Sequence, residues 1–184
     1  MLYINAVAKH LYKDYTGSLL SDARLKKWTS NKNLQTSPAR ASLTASIFEA
    51  FHSLASPPNF LLKDINTQMG FQLDAEAVFE VDTAKPLGPI QEMALLGKDD
   101  SSPTKNVPAG AKRVAVMILG FNDGVFDVSQ NNARFELNGS RSLQKALLEA
   151  LGYNVMLIKY NDLTDKQKLQ SVKHLESQLR SVLK

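Results

Sequence analysis

Two apolar runs separated by an amphipathic segment constrain the fold more than any other feature of this chain. The first run, Arg113–Leu119, has the length of a strand, and the second is Asn154–Ile158. Between them, apolar residues recur at helical spacing from Leu143 to Leu151, and Gly152 is placed to end that helix as a left-handed C-cap. This order predicts a βαβ unit, in which a right-handed crossover joins two parallel strands. The unbroken apolar character of the first run predicts a central strand that is covered on both faces.

The remaining periodicity predicts an α/β fold in which a small mixed sheet is flanked by helices and preceded by a short helical hairpin. The other predicted elements are the hairpin up to residue 30, a helix from Pro38 to Leu54, strands at Phe60–Ile65 and Phe71–Phe79, an added strand at Val125–Val128 and a last helix from Leu169 to Val182. The proline-rich stretch from Asp82 to Ala111 is predicted to be irregular. We divide the chain into a helical segment, residues 1–37, and an α/β domain, residues 38–184.

Alternation in the second predicted strand places Asp74, Glu76 and Glu80 on one face. This acidic face has two interpretations. The simpler one is the solvated face of a half-buried sheet, and the other is a set of carboxylates that carries chemistry.

Composition excludes several classes of function. The chain has no cysteine, so it has no disulfide, no thiolate zinc site and no cysteine nucleophile. The sequence contains neither a GxGxxG nor a GxxxxGK[ST] phosphate-binding loop, and it lacks the G-x-S-x-G pattern of serine hydrolases. Its apolar stretches are shorter than the roughly 20 residues that span a bilayer, so no membrane partner is expected. The first residues lack a secretory signal or organellar presequence, and we expect the chain to be part of a longer protein.

Charge is distributed unevenly along the chain. The net formal charge is +4 overall, and it is +5 for residues 1–63, −5 for residues 64–138 and +4 for residues 139–184. Basic flanks that fold onto one face would attract a polyanion such as RNA. The alternative is that these lysines and arginines are the solvated sides of helices.

Two segments resemble a known family. Leu148–Ile158, with Gly152-Tyr153 after the helix and Tyr160 and Asp162 beyond, resembles the core of a RAP domain, which would span residues 112–172. Leu2–Leu20 and the strand Gly70–Glu76 resemble the region that precedes the RAP domain in the FAST kinase (FASTK) family of mitochondrial RNA-binding proteins. The resemblance implies a mitochondrial matrix location and a role in the stability or processing of organellar transcripts.

The same resemblance implies a restriction-endonuclease-like core of the PD-(D/E)XK type. Such a nuclease holds Mg²⁺ with an acid from its first helix, an aspartate on one strand and a Glu-x-Lys on the next. Glu49 and Asp74 match the first two positions, but Met117-Ile118-Leu119 stands where Glu-x-Lys is expected. Asp123 is a possible replacement ligand. We therefore expect a pseudo-nuclease that needs no cofactor and has Glu49, Asp74 and Asp123 as vestigial catalytic residues.

The candidate RNA-binding residues are mostly cations near the predicted βαβ unit: Lys112, Arg113, Arg141, Lys145, Lys159 and Tyr160. Arg141 and Lys145 are four residues apart near the start of a helix, where backbone N–H groups also favour phosphate. Single-stranded RNA also needs stacking rings, and the candidates are Phe121, Phe126, Tyr153 and Tyr160.

Two alternatives remain open. The first is a Mg²⁺- or Mn²⁺-dependent endoribonuclease acting on mitochondrial transcripts through Glu49, Asp74 and Asp123. The second is a protein-interaction module in which the long last helix docks on a partner.

Overall fold

The computed structural model describes residues 1–30, 38–54, 59–67, 69–88, 107–127, 134–164 and 168–184. Its helices are α1 (Leu2–His10), α2 (Asp22–Ser30), α3 (Pro38–Leu54), α4 (Gly139–Ala150), α5 (Asn161–Thr164) and α6 (Lys168–Leu183). Its strands are β1 (Leu61–Asn66), β2 (Gln72–Glu80), β3 (Pro86–Leu87), β4 (Ala111–Leu119), β5 (Gly124–Asp127), β6 (Arg134–Leu137) and β7 (Asn154–Lys159). Each described helix is too short or too polar to cross a lipid bilayer.

The main sheet has the order β1-β2-β4-β7, and β3 extends the β1 side of β2. Strand β2 is antiparallel to both β1 and β4, whereas β7 runs parallel to β4. The predicted βαβ unit, β4-α4-β7, is therefore confirmed, as is the α/β class with a mixed sheet flanked by helices. A second, two-stranded sheet pairs β5 with β6.

Helices cover both faces of the main sheet. On one face, α3 and α6 pack over a core that includes Phe79, Val116 and Ile158. On the other face, α1 and α4 pack over a core that includes Met117 and Tyr153. Every residue of β4 from 113 to 119 is buried, as expected for a strand covered on both sides.

Local signals set the ends of α4. The Asn138 side chain caps the helix by accepting a hydrogen bond from the Arg141 N–H at 2.9 Å. At the other end, Gly152 has a φ of +84°, the left-handed conformation predicted for a C-cap glycine.

The interpretation of Asp74 and Glu76 as solvated residues is wrong, because both side chains are buried in the middle of the sheet. The solvated interpretation assumed that alternate residues of β2 face opposite sides of the sheet along its whole length, and this assumption is also wrong. Phe71 and Leu73 pack with α1 and α4, whereas Ala75 and the later odd-numbered residues of β2 pack with α3 and α6. Strand β2 thus exchanges faces at Asp74.

Strand β1 makes the same exchange beside it. Leu61 packs on the α3 side and Ile65 on the α1 side, and Asp64 between them has a φ of +52°. Lys63 pairs with Ala75, and Ile65 pairs with Leu73, so Asp64 and Asp74 lie opposite each other at the distortion.

Two short strands escaped prediction. The added strand expected at Val125–Val128 is present as β5, although Val128 lies outside the described residues, and its partner β6 was not predicted. Strand β3 lies within the stretch from Asp82 to Ala111 that was also expected to be irregular, and residues 89–106 of that stretch lie outside the described residues.

Candidate functional site

The parallel strands β4 and β7 end side by side, at the pair Leu119 and Lys159. Ligands of open α/β sheets bind at this end of the parallel strands. We call it the carboxyl edge, and it consists of the ends of β4 and β7, the 3₁₀ turn Phe121–Asp123, the hairpin β5–β6 and the start of α4.

Asp123 holds the carboxyl edge together. One carboxylate oxygen, Oδ1, accepts a hydrogen bond from Arg141 Nε at 2.8 Å, and Oδ2 accepts one from the Gly120 N–H, also at 2.8 Å. Arg141 also donates from Nη1 to Gln144 at 2.8 Å. Since Arg141 and Asp123 are only 13% and 18% exposed, this ion pair connects the turn after β4 to the first turn of α4.

Aromatic rings and a cation lie at the same edge. The Lys159 ammonium is 4.7 Å from the centroid of the Phe135 ring, a cation–π geometry. Phe121 is 76% exposed and Val125 is 60% exposed. Tyr160 packs partly buried against the α3–α6 core, and its N–H donates to the Leu119 carbonyl at 3.0 Å. The edge therefore combines a basic group with an exposed ring.

Asp74 lies beside the apolar tripeptide that replaces Glu-x-Lys. Its Oδ2 accepts a hydrogen bond from the buried Ile118 N–H at 2.7 Å. In the tripeptide, Met117, Ile118 and Leu119 are all buried and offer no oxygen ligand from their side chains. The carboxylate therefore replaces a backbone acceptor in the ladder between β2 and β4.

Asp74 and Asp123 do not fit a Mg²⁺ site, because Mg²⁺ needs several oxygen ligands in near-octahedral geometry. Asp74 is bound to the backbone of β4, and Asp123 is bound to Arg141 and Gly120. Within the described ranges, no group of three or more histidine, aspartate or glutamate side chains is arranged to hold a metal ion.

Glu49 lines a cleft of about 330 Å³ between α3 and β1, together with His52, Lys63 and Asp64. Burial and, to a smaller extent, the charge of Lys63 lower the pKa of His52 from its ordinary value of 6.5. The ring of His52 packs edge-on against Phe60, with ring centroids 5.6 Å apart. We call this feature the α3–β1 cleft.

The remaining cations lie away from the carboxyl edge. Lys112 is near the start of β4, where its ammonium donates to the Leu183 carbonyl at 2.8 Å. Lys145 forms an ion pair with Glu149 at 2.7 Å on the surface of α4. The six predicted RNA-binding residues thus separate, and Arg141, Lys159 and Tyr160 are the three at the carboxyl edge.

Arg113 is 3% exposed, so this conformation does not present it to RNA. Burial lowers the pKa of its guanidinium, while the nearby Tyr153 and Glu76 act in the opposite direction. Tyr153 donates a hydrogen bond from its hydroxyl to Glu76 Oε1 at 2.9 Å. Sequence reasoning missed this buried polar group, although an acid inside a strand as apolar as β2 is a signal that a buried partner exists.

Comparison with known proteins supports one part of the family resemblance. Residues 1–87 match the family described as FAST kinase-like protein, subdomain 2, and no curated protein matches the chain. The matched segment runs from α1 to β3 and includes Asp74 and the whole α3–β1 cleft. Slightly less than half of the chain is therefore similar to the FAST kinase-like family.

Proposed function

We propose that this chain is the RNA-binding part of a mitochondrial RNA stability or processing factor of the FAST kinase family. Its α/β domain is a RAP-type, nuclease-like scaffold that binds single-stranded RNA without cutting it. The family match over residues 1–87 supports this proposal, and the order α3-β1-β2-β4-α4-β7 is compatible with a nuclease-like core.

The observation that carries the proposal is that the carboxyl edge holds both the cation–π pair of Lys159 with Phe135 and the exposed ring of Phe121. Unpaired bases stack on exposed aromatic rings, and an adjacent ammonium attracts the phosphates that connect them. Neither base stacking nor attraction of phosphate depends on the base sequence, so we expect the carboxyl edge to bind single-stranded RNA without sequence specificity.

Binding is tested by fluorescence anisotropy of a 5′-labelled single-stranded RNA with the full chain. Loss of one stacked base costs about 1–3 kcal/mol, so Phe121→Ala is expected to weaken binding about 5- to 150-fold. Lys159→Ala is expected to weaken binding and to lower the slope of log affinity against log salt by about 0.7, as for one lost phosphate contact. Lys173→Ala, which changes an exposed cation on α6, is the matched control.

The binding proposal fails if the RNA does not bind at low salt. It also fails if Lys173→Ala weakens binding as much as the two variants at the carboxyl edge. A mitochondrial location is tested separately, by fractionation of cells that express the full-length protein.

The hydrogen bond from Ile118 to Asp74 supports the non-cutting half of the proposal, because it engages one of the two carboxylate oxygens that a nuclease would use for metal. We expect no RNA cleavage in Mg²⁺ or Mn²⁺ above the level of an Asp74→Asn variant. Metal-dependent cleavage that this variant abolishes would establish the endoribonuclease alternative instead.

In the interaction-module alternative, the long last helix docks on a partner. Leu175, Leu179 and Leu183 of α6 are buried against the sheet and α3. That face is part of the core, so the proposal of RNA binding takes precedence.

A further inference from the structure

The α3–β1 cleft has a polar rim on an apolar floor. One wall is a stripe of α3 in which Thr44, Phe48, Glu49 and His52 follow helical spacing. Lys63 and Asp64 form the other wall, at the point where β1 exchanges faces. A volume of about 330 Å³ is at the lower end of the range for small-molecule sites and suits a group the size of one nucleotide.

The two carboxylates of the cleft are available for a ligand. Within the part of the chain that the structure describes, the Glu49 and Asp64 side chains make no hydrogen bond or ion pair. Asp74 and Asp123 differ in this respect, because both accept hydrogen bonds from the protein itself. Asp64 also has a φ of +52°, a conformation that is uncommon for residues other than glycine and is enriched at functional sites.

One cation and one neutral acceptor complete the cleft. The Lys63 ammonium lies 4.9 Å from the centroid of the Phe48 ring, and this contact holds it at the wall. Burial and Lys63 lower the pKa of His52 below 6.5, so at pH 7 its imidazole is neutral and can accept a hydrogen bond.

This set of groups determines the chemistry of the ligand. Two carboxylates and one ammonium leave the cleft with a net negative charge, so a phosphate alone is a poor match. Hydroxyl groups donate well to carboxylates, and acids recognise the hydroxyls of ribose in this way in nucleotide-binding folds. A ribose with free 2′- and 3′-hydroxyls and one phosphate matches both the carboxylates and the single ammonium.

We propose that the α3–β1 cleft binds the 3′-terminal nucleotide of an RNA, with its ribose diol on Glu49 and Asp64 and its phosphate at Lys63. This inference rests on the proposed RNA-binding function and adds a preference for a free 3′ end. Internal nucleotides lack the free 3′-hydroxyl and are excluded on that basis.

The test compares two 5′-labelled RNA oligonucleotides of one sequence by anisotropy with the full chain at constant salt. One ends in a free diol, and the other ends in a 2′,3′-dideoxynucleotide. Hydrogen bonds to charged groups contribute about 1.5–3 kcal/mol, so we expect about tenfold or greater preference for the free diol. The double variant Glu49→Ala/Asp64→Gly removes both carboxylate acceptors, and glycine tolerates the positive φ of residue 64. This variant is expected to lose the preference and to keep its affinity for the blocked RNA. Asp82→Asn, at an exposed aspartate in the turn after β2, is expected to keep the preference.

The outcomes separate this inference from the function on which it rests. Measurable but equal binding of the two oligonucleotides overturns the inference and leaves RNA binding in place, whereas the absence of any binding overturns both. A preference that persists in the double variant assigns the diol to another site and also overturns the inference. Free nucleoside 5′-monophosphates are titrated as a third arm, and binding as tight as that of the RNA would assign the cleft to mononucleotides instead.

Discussion

Replacing Asp74 by alanine tests whether this carboxylate is part of the sheet or part of a catalytic site. The substitution removes the acceptor of a 2.7 Å hydrogen bond from the Ile118 N–H, and the two residues are 5% and 0% exposed. Removing the partner of a buried backbone donor costs about 1–3 kcal/mol. For a chain of this size each kcal/mol lowers Tm by about 2–4 °C, so we expect Tm to fall by about 2–12 °C.

The measurement is urea unfolding followed by far-UV circular dichroism, with the m-value checked for constancy. Asp74→Asn retains an oxygen acceptor and is expected to lose about 1 kcal/mol, because only the charge contribution disappears. Asp82→Ala removes an exposed carboxylate and is expected to stay within about 0.5 kcal/mol of the unmodified chain.

The reasoning is refuted if Asp74→Ala is as stable as the unmodified chain or more stable. Carboxylates held for catalysis often reduce stability, so their removal tends to stabilise an enzyme. A stabilising Asp74→Ala would therefore favour the endoribonuclease alternative.

Four further predictions concern single residues. Tyr153→Phe is expected to lower the free energy of unfolding by about 1.5–3 kcal/mol, because the ring stays but the hydrogen bond to Glu76 is lost. Urea titration measures this change, and an unchanged unfolding midpoint would contradict the prediction. Gly152→Ala is expected to lower the free energy of unfolding by about 1–2 kcal/mol. The cause is backbone strain alone, because φ is +84° and an added Cβ would meet no neighbouring atom within 4 Å. A change below about 0.5 kcal/mol in the same assay would contradict this prediction. The pKa of His52 in the folded chain, measured by NMR, is expected to lie below the value of 6.5 for the unfolded chain. Between these two pKa values the unfolded chain binds more protons than the folded chain. The free energy of unfolding is therefore expected to fall as the pH drops from the unfolded to the folded pKa. Lys63→Met is expected to raise the pKa of His52 only partly, because burial is the larger cause, and a full return to 6.5 would contradict this ranking.

The parts of the fold that sequence predicts are those with a local cause. Arg113–Leu119 is apolar without interruption because both faces of β4 are covered, and a single chain segment carries that information. Gly152 ends α4 through its own backbone conformation, and it too is visible locally.

The features that sequence reasoning missed depend on distant partners. Asp74 breaks the alternation of β2 because it binds Ile118, 44 residues away along the chain. Glu76 is buried and accepts a hydrogen bond from Tyr153, which is 77 residues away. Periodicity describes only neighbours in sequence, so it places both acids on a solvated surface. Only strand β5 of the hairpin β5–β6 was predicted. Strand β6 was missed because its four residues are too few to establish a period.

The candidate site also combines features that are visible locally in sequence with features that depend on distant partners. Sequence identifies which residues carry charge, but affinity for RNA depends on what each charge already contacts. A phosphate that binds Arg141 must displace Asp123, and one that binds Lys145 must displace Glu149, so each contact exchanges one anion for another with little net gain. Lys159 contacts a ring and, within the described residues, no carboxylate, so it gains the full attraction of a phosphate. Cations that sequence alone treats as equivalent are therefore unequal, and the energy of RNA binding is expected to be concentrated where β7 ends.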